Sequence, residues 1–600
     1  MGAANDVSIE RYGVIGDSGT AALVSDAGSI DWLCLPDFAA DPVFGRMLDP
    51  GGGHCAVRPS GLTESRRRYL PGTPVLETTF RTETGVATLT DLFASAPRAR
   101  KEAELWPFRW LIRRVEGAEG RVILNAEIAP RDAFGNGRWD LRRHGRMLVA
   151  RRGGRVIFAT CSTPFAVECN EASARIEVGP GDVAHLCLAY AERDIGVVPP
   201  VGEVAERALW DTVERWRAWS ARVPSRPRHR EAVERSALTL KLLTYAPSGG
   251  VVAAPTTSLP EAVGGGRNWD YRHVWIRDAS RSVSALLDRG HPEDARAYLS
   301  WIANATQLTH PRVQTLYALN GGRAEREQEI RGLRGYGGSL PVRRGNDAAT
   351  QLQLDNWGYL ADAAFVFGER TGELPWNLWP TVRAFVDFAA ANWRRRDRGI
   401  WEFRDRPRHL VHSKVMCWVA LDRGLRLARL LREDAPITMW ERERDRIHAA
   451  VLHDGVNAES GGFARAFDDP AIDASLLELP IVGFLPGDDE RVLITIDRVQ
   501  AELGRGDLVM RYRSDDGLSR GEGAFLACSF WLAHALAYAG RHDEAVDVFD
   551  RACGRANEVG LLPEEIDPET GSFLGNFPQG LSHLALLAAA TALEDHPSGS

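Results

Sequence analysis

The hydrophobic period of this chain changes once, near residue 200, and that change restricts the fold more than any other feature. Before it come short runs rich in β-branched residues, separated by glycine turns. Residues 75–82 and 86–92 flank a Glu-Thr-Gly turn that breaks at Gly85. Similar runs follow at 122–128, at 147–160 with a break at Gly153-Gly154, and at 174–190 with a break at Gly179-Pro180-Gly181. Strands at this spacing predict an antiparallel β-sandwich over residues 1–200. Beyond it the period becomes helical. Leu209, Val213 and Trp216 lie on one helix face, and Pro224-Ser225-Arg226-Pro227 ends the segment, so 201–227 is expected to be a linker helix with a domain boundary near Pro227. From Arg228 on, stripes such as Val233/Ala237/Leu240 and Trp418/Leu421/Leu425/Ala428 recur in about a dozen segments. With no repeat of fixed period, paired rings of helices, an α/α toroid over 228–600, are the economical arrangement. The tail, 596–600, is expected to carry no regular structure.

Composition decides which partners to consider. Hydrophobic content of 44% and charged content of 26% are those of a soluble globular chain, and 18 tryptophans suit stacking on sugar rings. Net charge is -8 and no basic face with interleaved aromatics is visible, which excludes a nucleic-acid binder. No apolar window approaches a membrane span and the first ten residues carry no apolar leader core, so the expected location is the cytoplasm. Eight cysteines without a CxxC pair are expected to be free and mostly buried. There is no HExxH, Gly-x-Ser-x-Gly or P-loop. His409 and His412 read as a packed pair, Asp515-Asp516 lacks a calcium-loop context, and no cofactor is expected. Oligomeric state is left open.

The densest chemistry lies at 267–278, Arg-Asn-Trp-Asp-Tyr-Arg-His-Val-Trp-Ile-Arg-Asp, just after three glycines. Flat rings beside Arg and Asp suit a sugar, whose C–H face stacks while its hydroxyls take bidentate hydrogen bonds. The competing interpretation is a buried salt-bridge knot. Two loop carboxylates stand out further along. Glu402 lies between Trp401 and Phe403, where neighbouring rings favour a neutral carboxyl, as a general acid needs; the competing interpretation pairs it with Arg404. Glu564 lies in Pro563-Glu564-Glu565-Ile566-Asp567-Pro568, which alternatively is an acidic helix start. Inverting glycoside hydrolysis requires two such carboxyls about 6.5 to 9.5 Å apart.

Six blocks in order resemble glycoside hydrolase family 15, which includes glucoamylases, glucodextranases and acid trehalases. They are Tyr12–Asp17 with Gly28–Pro36; Arg267–Asp278; Asn346 through Gln351 and Gln353-Leu354-Asp355; Gly399–Glu402 with His412–Met416; Arg511-Tyr512 with Gly521-Glu522-Gly523; and Glu564–Asp567 with Gly575–Gln579. The resemblance implies an N-terminal β-sandwich followed by an (α/α)6 barrel catalytic domain. It assigns Glu402 as general acid and Glu564 as general base. It places Arg277, Asp278 and Arg511 on hydroxyls of the non-reducing glucose, Trp275 and Trp401 on the pocket walls, and Tyr271 beside the base. Two departures affect substrate choice: Tyr359 stands where the family usually has Glu, a pocket-rim position, and Asp405-Arg406-Pro407 is more charged than the usual loop. Lys414, one of three lysines, falls in a family block without an assigned role.

The implied reaction is inverting, exo-acting hydrolysis of an α-glucoside, releasing β-glucose from the non-reducing end. A small cytoplasmic sugar as substrate points to trehalase activity. The alternatives are a glucoamylase-like enzyme acting on short α-glucans and a catalytically silent sugar-binding protein.

Overall fold

The computed structural model describes residues 7–135, 137–192, 196–224, 229–307, 309–375, 378–513 and 521–596. The acidic pair Asp515-Asp516, the boundary at Pro227 and the tail beyond 596 lie outside the described residues.

The N-terminal part is two antiparallel eight-stranded sheets. In the first, Tyr12–Gly16, Ala21–Ser25, Ser29–Cys34, His54–Pro59, Val122–Ala129, Glu171–Val178 and Ala166–Glu168 follow one another, with Pro42–Phe44 beside Ser29–Cys34. The second runs from Asp140–His144 through Met147–Arg152, Arg155–Cys161, Val183–Ala191, Arg109–Gly120, Gly85–Phe93 and Leu76–Thr82 to Leu62–Tyr69. The strand Glu171–Val178 alternates exposed and buried residues along its length, the signature of a sheet with one wet face. Gly85 opens a strand opposite Thr82, so the hairpin turn itself is Glu83-Thr84. Inside this domain Arg113 and Asp91 form a fully buried bidentate pair, completed by the carbonyls of Cys55 and Gly28.

The helix Glu203–Ser220 leads into the second part. There, among the described residues, twelve helices alternate between an outer and an inner ring. Ile276–Asp288, Asp355–Thr371, Val411–Leu431, Glu478–Ile481, Leu526–Tyr538 and Gly580–Asp595 pack each against the next and close on themselves. Arg230–Leu243, Pro292–Thr306, Leu378–Asn392, Ile437–Asp454, Glu490–Arg498 and His542–Cys553 surround them. The two rings have different sequences for a physical reason. Leu526–Tyr538 is apolar on all sides and buried from Leu526 to Ala537, because an inner helix has neighbours all round, whereas Ile437–Asp454 buries only one stripe.

The inner helices starting at Ile276, Leu526 and Gly580 point their N-termini at one end of the barrel, where the loop residues converge. Their partial positive ends favour carboxylates there. The opposite end holds a second cavity of about 300 Å³, lined by Asp288, Arg370, Arg423, Tyr538 and Asp595. Tyr359 faces this cavity and not the rim of the first pocket, because it sits one turn inside the helix that begins at Asp355. Its hydroxyl donates to Glu478 Oε2 at 3.0 Å.

The sheets brace the barrel beside the loops that carry the chemistry. Trp32 Nε1 donates to the Pro255 carbonyl at 2.7 Å, and Arg272 Nη1 donates to the Ala40 carbonyl at 2.7 Å.

Candidate active site

The stretch 267–278 divides its charges between two tasks. Asp270 and Arg272 form a buried bidentate pair at 2.8 and 2.9 Å, and Gly345 N–H donates to Asp270 Oδ2; this half is the salt-bridge knot. Tyr271, Trp275, Arg277 and Asp278 line a pocket together with Ala253, Trp401, Phe403, Arg404, Arg511, Tyr512 and Glu402. The division follows the local structure: Asp270 ends the strand Asn268–Asp270, whereas Arg277 and Asp278 lie in the first turn of the helix Ile276–Asp288.

Glu402 occupies the pocket wall on a strained backbone. Its φ is +60°, in the left-handed region that costs a non-glycine residue roughly 1–2 kcal/mol. Three bonds hold the turn: Glu402 N–H to the Gly399 carbonyl at 3.0 Å, Gln351 Nε2 to the Glu402 carbonyl at 3.2 Å, and Arg277 Nη1 to the Ile400 carbonyl at 2.6 Å. Strain retained at a pocket-lining acid is typical of a functional position. Trp275 Nε1 donates to Glu402 Oε1 at 2.7 Å, and Arg277 Nη1 lies 3.9 Å from the same oxygen. Burial nevertheless raises the Glu402 pKa, with Arg277 and the Trp275 hydrogen bond opposing it. Arg404 is not its partner: it pairs with Glu327 at 2.9 Å and lies over the Trp269 ring.

Lys414 supports this loop from beneath. Its ammonium donates to the Arg395 carbonyl and sits near buried Asp397. Asp397 Oδ2 in turn accepts from Ser413 Oγ at 2.7 Å, Leu354 N–H at 3.0 Å and Gly399 N–H at 3.2 Å. The lysine is thus tied to the start of the Glu402 loop. Asp405 lies outside the pocket lining and pairs with Arg408 at 2.9 Å.

Glu564 is buried behind the pocket wall, not displayed on an open loop. No helix follows it; Glu565–Ile566 and Phe573–Leu574 form a tight hairpin whose turn is closed by Asp567 Oδ1 accepting from Glu569 N–H. The Tyr271 hydroxyl, which borders the pocket, interacts with the Glu564 carboxyl, and Asn576 N–H donates to its Oε2 at 2.9 Å. Gly575 presses on it: a Cβ at that glycine would fall 2.2 Å from Glu564 Oε2. Desolvation, reinforced by Glu261, pushes the Glu564 pKa well above the ordinary carboxylate range.

Trp401 closes another wall, its Nε1 donating to Asp473 Oδ1 at 2.7 Å and its ring packed against Tyr512, Phe525 and Trp531. Arg511 reaches the pocket with Nη2 held by Glu522 at 2.7 Å, Glu261 at 2.9 Å and Glu565 at 3.1 Å. Neither Glu261 nor a role for Glu522 is evident from sequence. Glu522 is flanked by glycines, and that flank is a weak signal; Glu261 carries none, because its closest ion pair, with Arg511, comes from a segment 250 residues away. Glu261, Glu522 and Glu565 bring three oxygens close enough to hold a cation, but Arg511 Nη2 already stands among them.

Comparison with known proteins agrees with this architecture. Residues 227–591 match the model "Glycosyl hydrolases family 15" and residues 1–178 match "Trehalase-like, N-terminal". The chain is 39% identical to a trehalase of Mycolicibacterium smegmatis across 97% of this chain and 90% of the relative. It is 34% identical to a trehalase of Thermoplasma volcanium, across 98% and 95% respectively. In fold it is similar to a bacterial glucoamylase complexed with acarbose, with a TM-score of 0.71 at 14% identity, covering 99% of this chain and 95% of that one. With an antiparallel sheet domain, a closed double ring of helices and a family match over most of the chain, this protein belongs to glycosyl hydrolases family 15 and is a glycoside hydrolase.

Proposed function

We propose that the enzyme is a trehalase, which hydrolyses α,α-trehalose to two glucose molecules with inversion at the attacked carbon. The observation that carries the reading is Glu402, strained at φ +60° and fixed by Trp275 and Arg277 inside an aromatic pocket. The substrate is supported by the trehalases to which this chain is similar over 97% and 98% of its length. Glu402, whose neutral form burial favours, gives its proton to the glycosidic oxygen. Glu564 takes a proton from water attacking the anomeric carbon from the opposite face. One glucose therefore leaves as the β anomer and the other as the α anomer. Arg277, Asp278 and Arg511 bind hydroxyls, Trp275 and Trp401 enclose the ring, and Tyr271 orients Glu564.

The reading keeps the division into 1–200, 201–227 and 228–600, supported by strands that end at Ala191 and helices that resume at Arg230. It also places the enzyme in the cytoplasm. All eight cysteines are unpaired and six are buried, which fits a reducing compartment, and among the described residues no helix is long and apolar enough to cross a membrane.

The test is NMR of the sugar released from trehalose, maltose, isomaltose and maltotriose, read within minutes, before mutarotation. Equal α- and β-glucose from trehalose alone supports the reading. β-Glucose from maltose or isomaltose in preference to trehalose would replace it with a glucoamylase-like activity. Silence on all four would overturn the substrate class.

A further inference from the structure

The pocket is backed by a cluster of buried acids beyond the two carboxyls that the reaction requires. Glu261, Glu522 and Glu565 all contact one nitrogen of Arg511, and Arg267 adds a second guanidinium, with Nη1 2.9 Å from Glu522 and 3.7 Å from Glu261. Three carboxyl groups thus share two guanidiniums, and burial raises the pKa of both Glu261 and Glu565. Every member is less than a tenth exposed at its side chain, so solvent does not screen it.

The cluster is fastened to Glu564 through the backbone. Glu565 is its chain neighbour. Pro260, which precedes Glu261, accepts from Gly575 N–H at 2.8 Å, and Gly575 is the residue pressed against the Glu564 carboxyl. Gly523 N–H donates to both the Glu261 carbonyl at 3.2 Å and Glu565 Oε2 at 2.8 Å, locking the two acids together. Trp269 Nε1 fixes Glu261 Oε1 at 3.0 Å.

We propose that Glu261 is a positioning residue for the hydrolysis: held by Arg511, Arg267 and Trp269, it keeps a buried carboxylate against Glu564 and makes Glu564 a stronger base toward water. The inference rests on the reading of Glu564 as the general base. A base more avid for protons abstracts one from water more readily, provided its affinity stays near the working pH. The groups that face Glu564 agree with this assignment. Glu261 opposes its ionisation, while Tyr271, Asn576 N–H and Arg511 favour it; Glu564 in turn opposes the ionisation of Glu565. Glu402 also acts on Tyr271, and His583, on the helix beneath, is held neutral by burial. Glu261 is the effective member because its second oxygen is already satisfied by Trp269 and cannot turn away.

The experiment is the pH profile of kcat/KM on trehalose for the wild type, E261Q, E261D, E522Q and E564Q. The optimum lies at the mean of the base and acid pKa values whichever is higher, so it reports the change without assigning limbs. Gln at 261 keeps an oxygen for Trp269 and removes the charge. A neighbouring charge shifts a carboxyl pKa by roughly 1 to 3 units, so the E261Q optimum should move to lower pH by about half of that, and E261D should restore the wild-type optimum. A fall in kcat/KM equal at every pH, with the optimum unmoved, would reduce Glu261 to packing and overturn the inference. If E261Q does not fold, E522Q decides: the same acidic shift supports the proposal and an unmoved optimum overturns it. E564Q separates the two levels. Wild-type turnover in E564Q would defeat the base assignment itself, whereas an inactive E564Q beside an unmoved E261Q defeats only the role of Glu261.

Discussion

Trp275 Nε1 donates to Glu402 Oε1 at 2.7 Å, so the indole both forms a wall of the pocket and holds the acid by its carboxyl. The bond favours the ionised form and opposes the desolvation that raises the Glu402 pKa. Trp275→Phe keeps the ring and deletes the donor. The Glu402 pKa then rises, the pH optimum of kcat/KM moves to higher pH, and kcat falls as the carboxyl loses its fixed orientation. A pH–rate profile compared with wild type checks both effects.

Glu402→Gln and Glu564→Gln should each reduce kcat by about 10² to 10⁴, the usual contribution of a positioned acid or base. Their thermal stabilities differ from each other in an informative way. Glu564 is a buried carboxyl opposed by Glu261, so an uncharged amide relieves repulsion and E564Q should melt at or above the wild-type temperature. Calorimetry alongside steady-state kinetics measures the pair.

Gly575→Ala tests how tightly the base is seated. The glycine has φ +73°, and an added Cβ would lie 2.2 Å from Glu564 Oε2. The carboxyl must move by about 1 Å or more, and misplacement on that scale costs about 10²-fold in rate. The loss should appear in kcat with KM little changed, because the residue does not line the sugar pocket. Wild-type kcat in this variant would contradict the placement of Glu564.

Glu478→Gln probes the layer beneath the site. Glu478 pairs with Arg281, accepts from Tyr359 at 3.0 Å, and lies 3.4 Å from His412 Nε2; Arg281 holds its pKa down at about 2. Deleting its charge leaves Arg281 buried and uncompensated, which should destabilise the protein by about 3–5 kcal/mol in denaturant unfolding. Because the folded pKa is depressed, this stabilisation is fully present above the ordinary Glu value and is lost as pH falls from about 4.5 toward about 2.

The architecture was legible where local pattern sets it. Strand runs at 122–128, 147–160 and 174–190 became strands with breaks at the stated glycines, and the Val233 and Leu421 stripes became buried helix faces. Tyr271, Trp275, Arg277, Asp278, Trp401, Glu402 and Arg511 line one pocket. Tyr359 did not follow its expected place at the rim, because one helical turn of 5.4 Å carries a side chain away from the pocket toward the far cavity. The acidic helix start that Glu564 alternatively suggested is a hairpin instead, and Gly575 and Asn576 close over the carboxyl.

The sequence by itself determined the two periods, and hence a sheet domain before a ring of helices, and it marked the acids and aromatics that a sugar pocket uses. Periodicity and residue type are local properties, and burial of one face of each element follows from them. Only the tertiary structure decided how charge is shared. It separated Asp270–Arg272 from Arg277–Asp278, gave Arg404 to Glu327 instead of Glu402, and assembled Glu261, Glu522 and Glu565 around Arg511. Coulomb interactions depend on distance and on exclusion of water, and neither is set until segments some 250 residues apart are packed together.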